Sequence, residues 1–185
     1  MLENPETGAL EPLDFNYLQD NVPELRHLGC DIESVEFRPP LDSSAISPEH
    51  WVELAQLIAS NYTKYDGFVV LHGTDTMAYT ANLFALALQG LDKPVVLTGS
   101  QWSYDADGSD APSNLAVAAA AFSLGLKEVV IAFDGKLYPA VGSSKCSTEL
   151  DQGFDNAHFG SWQPNTPLRR LSGLPTRFNP AARVC

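Results

Sequence analysis

The sequence predicts an α/β domain built on a mostly parallel sheet flanked by helices. Three short apolar runs carry that expectation: FVVL at 68–71, PVVL at 94–97 and EVVIAF at 128–133. Apolar runs of this kind read as parallel strands buried on both faces. A polar loop follows each of the first two, and then a helix-like pattern at 77–88 and at 112–124. Strands that alternate with helices imply a parallel sheet.

Taken in chain order, residues 1–12 are rich in Pro, Gly and Glu and read as a loop. A short helix is expected at 15–28 and a strand at 35–37, just before Pro39 and Pro40. The next helix has a clear start. Ser47 is an N-cap candidate, Pro48 suits the first helical position, and Glu49 suits the positive end of the helix dipole. Trp51, Leu54, Ala55 and Ile58 then recur at helical spacing, giving one buried stripe. Beyond about residue 160 the pattern fades, and Arg169, Arg170, Arg177 and Arg183 crowd a Pro-rich stretch. The expected organisation is one domain over 1–160 and a linker or irregular tail over 161–185.

Composition narrows the function classes. The formal net charge is −12. Such a surface repels a phosphate backbone, so direct nucleic-acid binding and anionic membranes are poor candidates. A small zwitterion can still be held by a few local groups. Cys30, Cys146 and Cys185 are widely spaced with no CxxC, which argues against zinc and against a disulfide framework. The start, MLENPETGAL, lacks the basic and apolar regions of a secretory leader. No window approaches the roughly 18 apolar residues of a membrane helix. No dinucleotide, P-loop or serine-hydrolase motif is present, so nucleotide binding and serine-hydrolase chemistry have no motif support.

Ligands of open parallel sheets bind beyond the carboxyl ends of the strands. The loops after the strands are therefore the place to search for chemistry. The first is His72-Gly73-Thr74-Asp75-Thr76. Thr and Asp at a helix start are ordinary caps, but this loop holds more small polar residues than one cap needs. The second is Thr98-Gly99-Ser100-Gln101, with Gly108-Ser109-Asp110 as a helix cap. The third is Gly142-Ser143-Ser144-Lys145. A lysine is usually a solvated surface residue. Held beside a threonine hydroxyl with a lowered pKa, it can instead accept the hydroxyl proton.

The run YDGFVVLHGTDTMAYTA at 65–81 resembles the second signature of the L-asparaginase family. LENPETGALEP, PPLDSS, KPVVLTGSQ, SDAPSNL, SSK and GFDN agree in order with the cytoplasmic, type I branch, over about residues 2–156. The resemblance implies hydrolysis of L-asparagine to L-aspartate and ammonia through a threonine acyl-enzyme without a cofactor, with L-glutamine as an alternative substrate. It implies catalytic roles for Thr74, Asp75 and Lys145, with Asp75 on the substrate α-amino group. It places Ser43, Ser44, Gly73 and Ser100 in the substrate pocket. A cytoplasmic homo-oligomer is expected.

The family's first signature, Thr-Gly-Gly-Thr-Ile, carries the attacking threonine and is absent from this sequence. The expectation is a chain that starts just past that first strand and lacks most of the carboxyl-terminal domain. Two other readings stay open. One is an inactive amino-acid-binding product. The other is the ammonia-supplying subunit of a tRNA-dependent amidotransferase, which the QWSYDADGSD stretch resembles.

Overall fold

In the computed structural model of the chain, the described residues are 2–3, 10–11, 30–150 and 152–162. Strands β1 (Leu2–Glu3) and β2 (Leu10–Glu11) pair antiparallel with each other. The helix expected at 15–28 and nearly all of the expected tail lie outside the described residues. A 3-10 turn, Ser43–Ala45, leads to helix α1, Pro48–Asn61. The start of α1 agrees with the sequence reading, since Ser47 is the N-cap and Pro48 opens the helix. Its capping partner is a histidine: Ser47 donates its backbone N–H to His50 Nδ1 at 3.0 Å. The Ser47 hydroxyl donates to Glu49 Oε2 at 2.7 Å.

The main sheet is built from β3 (Phe68–Leu71), β4 (Val95–Thr98), β5 (Val129–Phe133) and β6 (Lys136–Pro139), in that spatial order. The pairs β3–β4 and β4–β5 are parallel, and β5–β6 is antiparallel. Helix α2 (Thr74–Ala87) connects β3 to β4. Helix α3 (Ala111–Ala120), with a 3-10 extension over Ala121–Leu124, connects β4 to β5. The expected mostly parallel sheet with flanking helices is therefore present.

Strand alternation assigns the two faces. Val70, Leu97, Ile131 and Phe133 join Ala55 and Ile58 of α1 and Met77, Ala81 and Phe84 of α2 in one core. Val96, Val130 and Ala132 point the other way, against Ala118 of α3 and Leu126. The stripe read on α1 is the buried one, with Trp51 and Leu54 packed at its margin.

Five expectations need correction, the first being the loop over 1–12, where β1 and β2 pair as strands. Residues 35–37 form no strand, and Val35 is 73% exposed; a strand persists only by pairing, and this segment pairs with no described strand. β3 is not buried on both faces. It is the outermost strand of the sheet among the described residues, and its Val69 and Leu71 are 43% and 46% exposed. Helix α2 starts at Thr74 rather than residue 77, with Gly73 as N-cap. β6 adds a strand to the expected set, and Asp134-Gly135 before it is a strong hairpin signal. Both turn residues have positive φ, 49° and 68°, as a tight reversal between β5 and β6 requires.

Burial sets the expected cost of core truncation. Ile131 is fully buried, so Ile131→Ala should lower the unfolding free energy by about 2–5 kcal/mol. Val69→Ala on the exposed side of β3 should cost well under half as much. Urea unfolding of the two variants beside the unmodified chain checks the difference.

Candidate active site

The site forms at the carboxyl edge of β3 and β4, where parallel register brings two loops together. Leu71 lies opposite Thr98, and His72 donates its N–H to the Thr98 carbonyl at 2.9 Å. Gly99 allows this approach, because a Cβ there would collide with the His72 carbonyl oxygen. Gly73 likewise leaves room for the Ser43 side chain.

Thr74 and Asp75 occupy the first turn of α2, and neither side chain caps the helix. The ordinary capping role is thus not what their side chains do. Lys145 Nζ donates to Thr74 Oγ1 at 2.8 Å and to Asp75 Oδ1 at 2.8 Å. The lysine side chain is 15% exposed and the aspartate 63% exposed. The three residues singled out in the sequence are therefore in one hydrogen-bonded group, although 70 positions separate Asp75 from Lys145.

Lys145 is delivered by strand β7 (Ser144–Lys145), which pairs antiparallel with β8 (Phe154–Asp155). Two asparagines pin the approach to β7. Asn82 of α2 donates to the Ser143 carbonyl at 3.0 Å and accepts from Gly142 N–H at 2.9 Å. Buried Asn156 donates to the carbonyls of Pro139 and Val141 at 3.0 and 2.9 Å. Nothing local in the sequence marks these two residues, since both bind backbone atoms from distant segments.

Of the other expected residues, Ser43 is buried beside Gly73, and its carbonyl accepts from Thr76 Oγ1 at 2.7 Å. Ser44 faces its own turn, donating its hydroxyl to Asp42 Oδ1 at 2.8 Å. Ser100 also turns inward on its loop, donating to the Trp102 carbonyl at 2.7 Å. The neighbour Gln101 is the residue that reaches Thr74. Thr74 donates its hydroxyl to Gln101 Oε1 at 3.1 Å. Gln101 Nε2 donates to the carbonyls of Ser147 and Leu150 at 3.0 and 3.4 Å. Two carbonyls facing Nε2 fix the amide's orientation. The Thr74 hydroxyl thus gives its proton to Gln101 and accepts one from the ammonium of Lys145.

His72 supports the same edge. Trp51 Nε1 donates to Thr80 Oγ1 at 2.8 Å, which leaves the Thr80 proton for His72 Nε2, also at 2.8 Å. His72 Nδ1 then carries the ring proton and donates it to the Gly73 carbonyl at 2.7 Å. Burial holds this imidazole below its ordinary pKa, against a smaller opposing effect of the Gly73 bond. Among the described residues, no group of three or more His, Cys, Asp or Glu is arranged to hold a metal ion. No helix there is long and apolar enough to cross a membrane.

The chain is similar to known proteins in sequence and in fold. The family model "Asparaginase, N-terminal" matches residues 1–166. The chain belongs to the asparaginase family. It is 41% identical over 143 residues to L-asparaginase 1 of Escherichia coli strain K12, covering 77% of this chain and 40% of that one. It is 42% identical over 123 residues to a glutamyl-tRNA(Gln) amidotransferase subunit of Methanopyrus kandleri, covering 64% of this chain and 26% of that one. The crystal structure of L-asparaginase I from Vibrio cholerae superposes with a TM-score of 0.71 at 34% identity, over 80% of this chain and 45% of that one. This asparaginase-family chain thus spans less than half the length of these three relatives.

The His72 shift gives a pH prediction. Between its lowered pKa and the ordinary imidazole value of 6.5, His72 binds fewer protons folded than unfolded. Stability therefore rises with pH across that window and is lost as pH falls through it. Urea unfolding at about pH 7.5 and about pH 5 should show this loss, and His72→Gln should remove His72's part of it.

Proposed function

We propose that this chain carries the threonine–aspartate–lysine half of an amidohydrolase site that converts L-asparagine and water to L-aspartate and ammonia. The observation that carries the reading is Lys145 Nζ placed 2.8 Å from both Thr74 Oγ1 and Asp75 Oδ1. A lysine between a hydroxyl and a carboxylate can pass a proton to or from the hydroxyl once it is neutral. Asp75 is the more exposed partner and would take the α-ammonium of the substrate, a charge-assisted contact that competes with Lys145. Ser43 and Gly73 border the place its carboxylate would occupy.

The acyl-forming hydroxyl belongs, by family resemblance, to the Thr-Gly-Gly-Thr-Ile signature that this sequence does not contain. β3 is the outermost strand of the main sheet among the described residues, which leaves an edge where a further strand can pair beside it. Residues 1–160 then form one asparaginase-like unit, with 161–185 as a linker or tail, in a cytoplasmic homo-oligomer. The ammonia-supplying subunit of a tRNA-dependent amidotransferase is the second reading, favoured by the likeness to the Methanopyrus kandleri protein. Co-purification with a partner subunit distinguishes it.

The test is ammonia release from L-asparagine by the 185-residue chain and by a form extended upstream with a strand ending in Thr-Gly-Gly-Thr-Ile-Gly. The extended form should be active, and Lys145→Met within it should lower the rate by about a hundredfold or more. Equal activity of the short chain would show that Thr74 suffices and would sink the two-threonine reading. Absence of activity and of L-aspartate binding in both would sink the amidohydrolase reading.

A further inference from the structure

Asp110 stands at the N-cap position of α3, yet its carboxylate makes no capping bond to that helix. The Ala111 N–H is taken by Ser109 Oγ at 3.2 Å instead. The Asp110 carboxylate, 8% exposed as a residue, turns back over its own loop. Gln101 N–H donates to Oδ1 at 3.1 Å and to Oδ2 at 3.0 Å, and Trp102 N–H donates to Oδ1 at 3.1 Å. Asn114 Nδ2 donates to Oδ2 at 2.9 Å. Asn114 is itself fully buried, donates to the Gly99 carbonyl at 2.9 Å and accepts from Asp134 N–H at 2.9 Å. One buried carboxylate and one buried amide thus tie the loop after β4 to the turn after β5.

The tied residue is the one that touches the reacting group. Gln101 meets Thr74 through its side chain and Asp110 through its backbone. We propose that Asp110 is a positioning residue that acts through Gln101 on Thr74, setting where the Gln101 amide sits and hence the direction of the Thr74 hydroxyl. The inference rests on the amidohydrolase reading for its functional consequence and on geometry alone for the brace itself. Both carboxylate oxygens accept from donors, so a neutral amide is a poor substitute. The Asp110→Asn change would set an NH2 group against an N–H of the loop or against the amide of Asn114.

The experiment is nitrogen–proton NMR of the 185-residue chain with titration of L-aspartate. In Asp110→Asn the Gln101 and Trp102 amide protons should move upfield, since hydrogen bonds to a carboxylate draw them downfield. The Gln101 side-chain NH2 should exchange with water about tenfold faster or more. L-aspartate affinity should fall roughly tenfold. Ser109→Ala, which removes only the bond at the start of α3, should move none of these. The proposal is overturned if the Gln101 side-chain signals and the affinity stay within about twofold in Asp110→Asn.

If the variant does not fold, the unmodified chain decides. A Gln101 side chain no better protected from exchange than exposed Gln56 overturns the brace. Failure of the unmodified chain to bind L-aspartate moves the affinity test to the extended form, and the Gln101 signals still decide the brace.

Discussion

Because β3 and β4 run parallel with Leu71 opposite Thr98, the chain leaves both strands at the same edge of the sheet. Everything chemical in this domain depends on that coincidence. The His72 N–H continues the ladder onto the Thr98 carbonyl, so the segments that follow, 73–76 and 99–101, start from fixed and adjacent points. A helix begins immediately after the first strand, which sets Thr74 and Asp75 side by side at its amino end. Parallel pairing requires a crossover, and α2 is that crossover. The same helix then packs under β7 and receives Lys145 from the far side.

Buried polar groups do most of the positioning. Asn114, Asn156 and Asp110 each bind backbone atoms of segments that have no regular structure of their own. A buried amide or carboxylate without partners would be costly, so each of these side chains admits only loop conformations that satisfy it. The loops are therefore specified by hydrogen bonding, whereas the sheet and helices are specified by apolar burial. The Asp75–Lys145 ion pair is more exposed than these supports. Asp75 remains open to solvent, which leaves its carboxylate free to exchange partners without unfolding anything.

The strands at 68–71, 95–98 and 129–133 and the helix from Pro48 are legible because apolar runs, N-caps and helical spacing are local properties. The turn to β6 carries a local mark too, in Asp134-Gly135. The start of the helix at Thr74 is masked, because Thr74, Asp75 and Thr76 look like loop residues by composition. In the fold they fill the first turn, where polar side chains can meet Gln101, Lys145 and the Ser43 carbonyl. The family resemblance points to Ser100 rather than Gln101 as the site residue. Only the longer side chain spans the gap to Thr74. The expected strand at 35–37 fails for the converse reason, since local preference cannot supply a pairing partner.

What the sequence by itself determined is the class of fold, three of the four strands of the main sheet and the family, and it singled out Thr74, Asp75 and Lys145 as candidates. These follow from short-range patterning and from one long motif. The tertiary structure alone decided that Lys145 reaches Thr74 and Asp75, that Gln101 rather than Ser100 faces the threonine, and that Asp110 braces a loop instead of capping its helix. Each of those facts is a contact between side chains and backbone that local patterning does not pair. Such contacts are fixed by strand register and by which buried polar groups must be satisfied, and neither is written in any local stretch of residues.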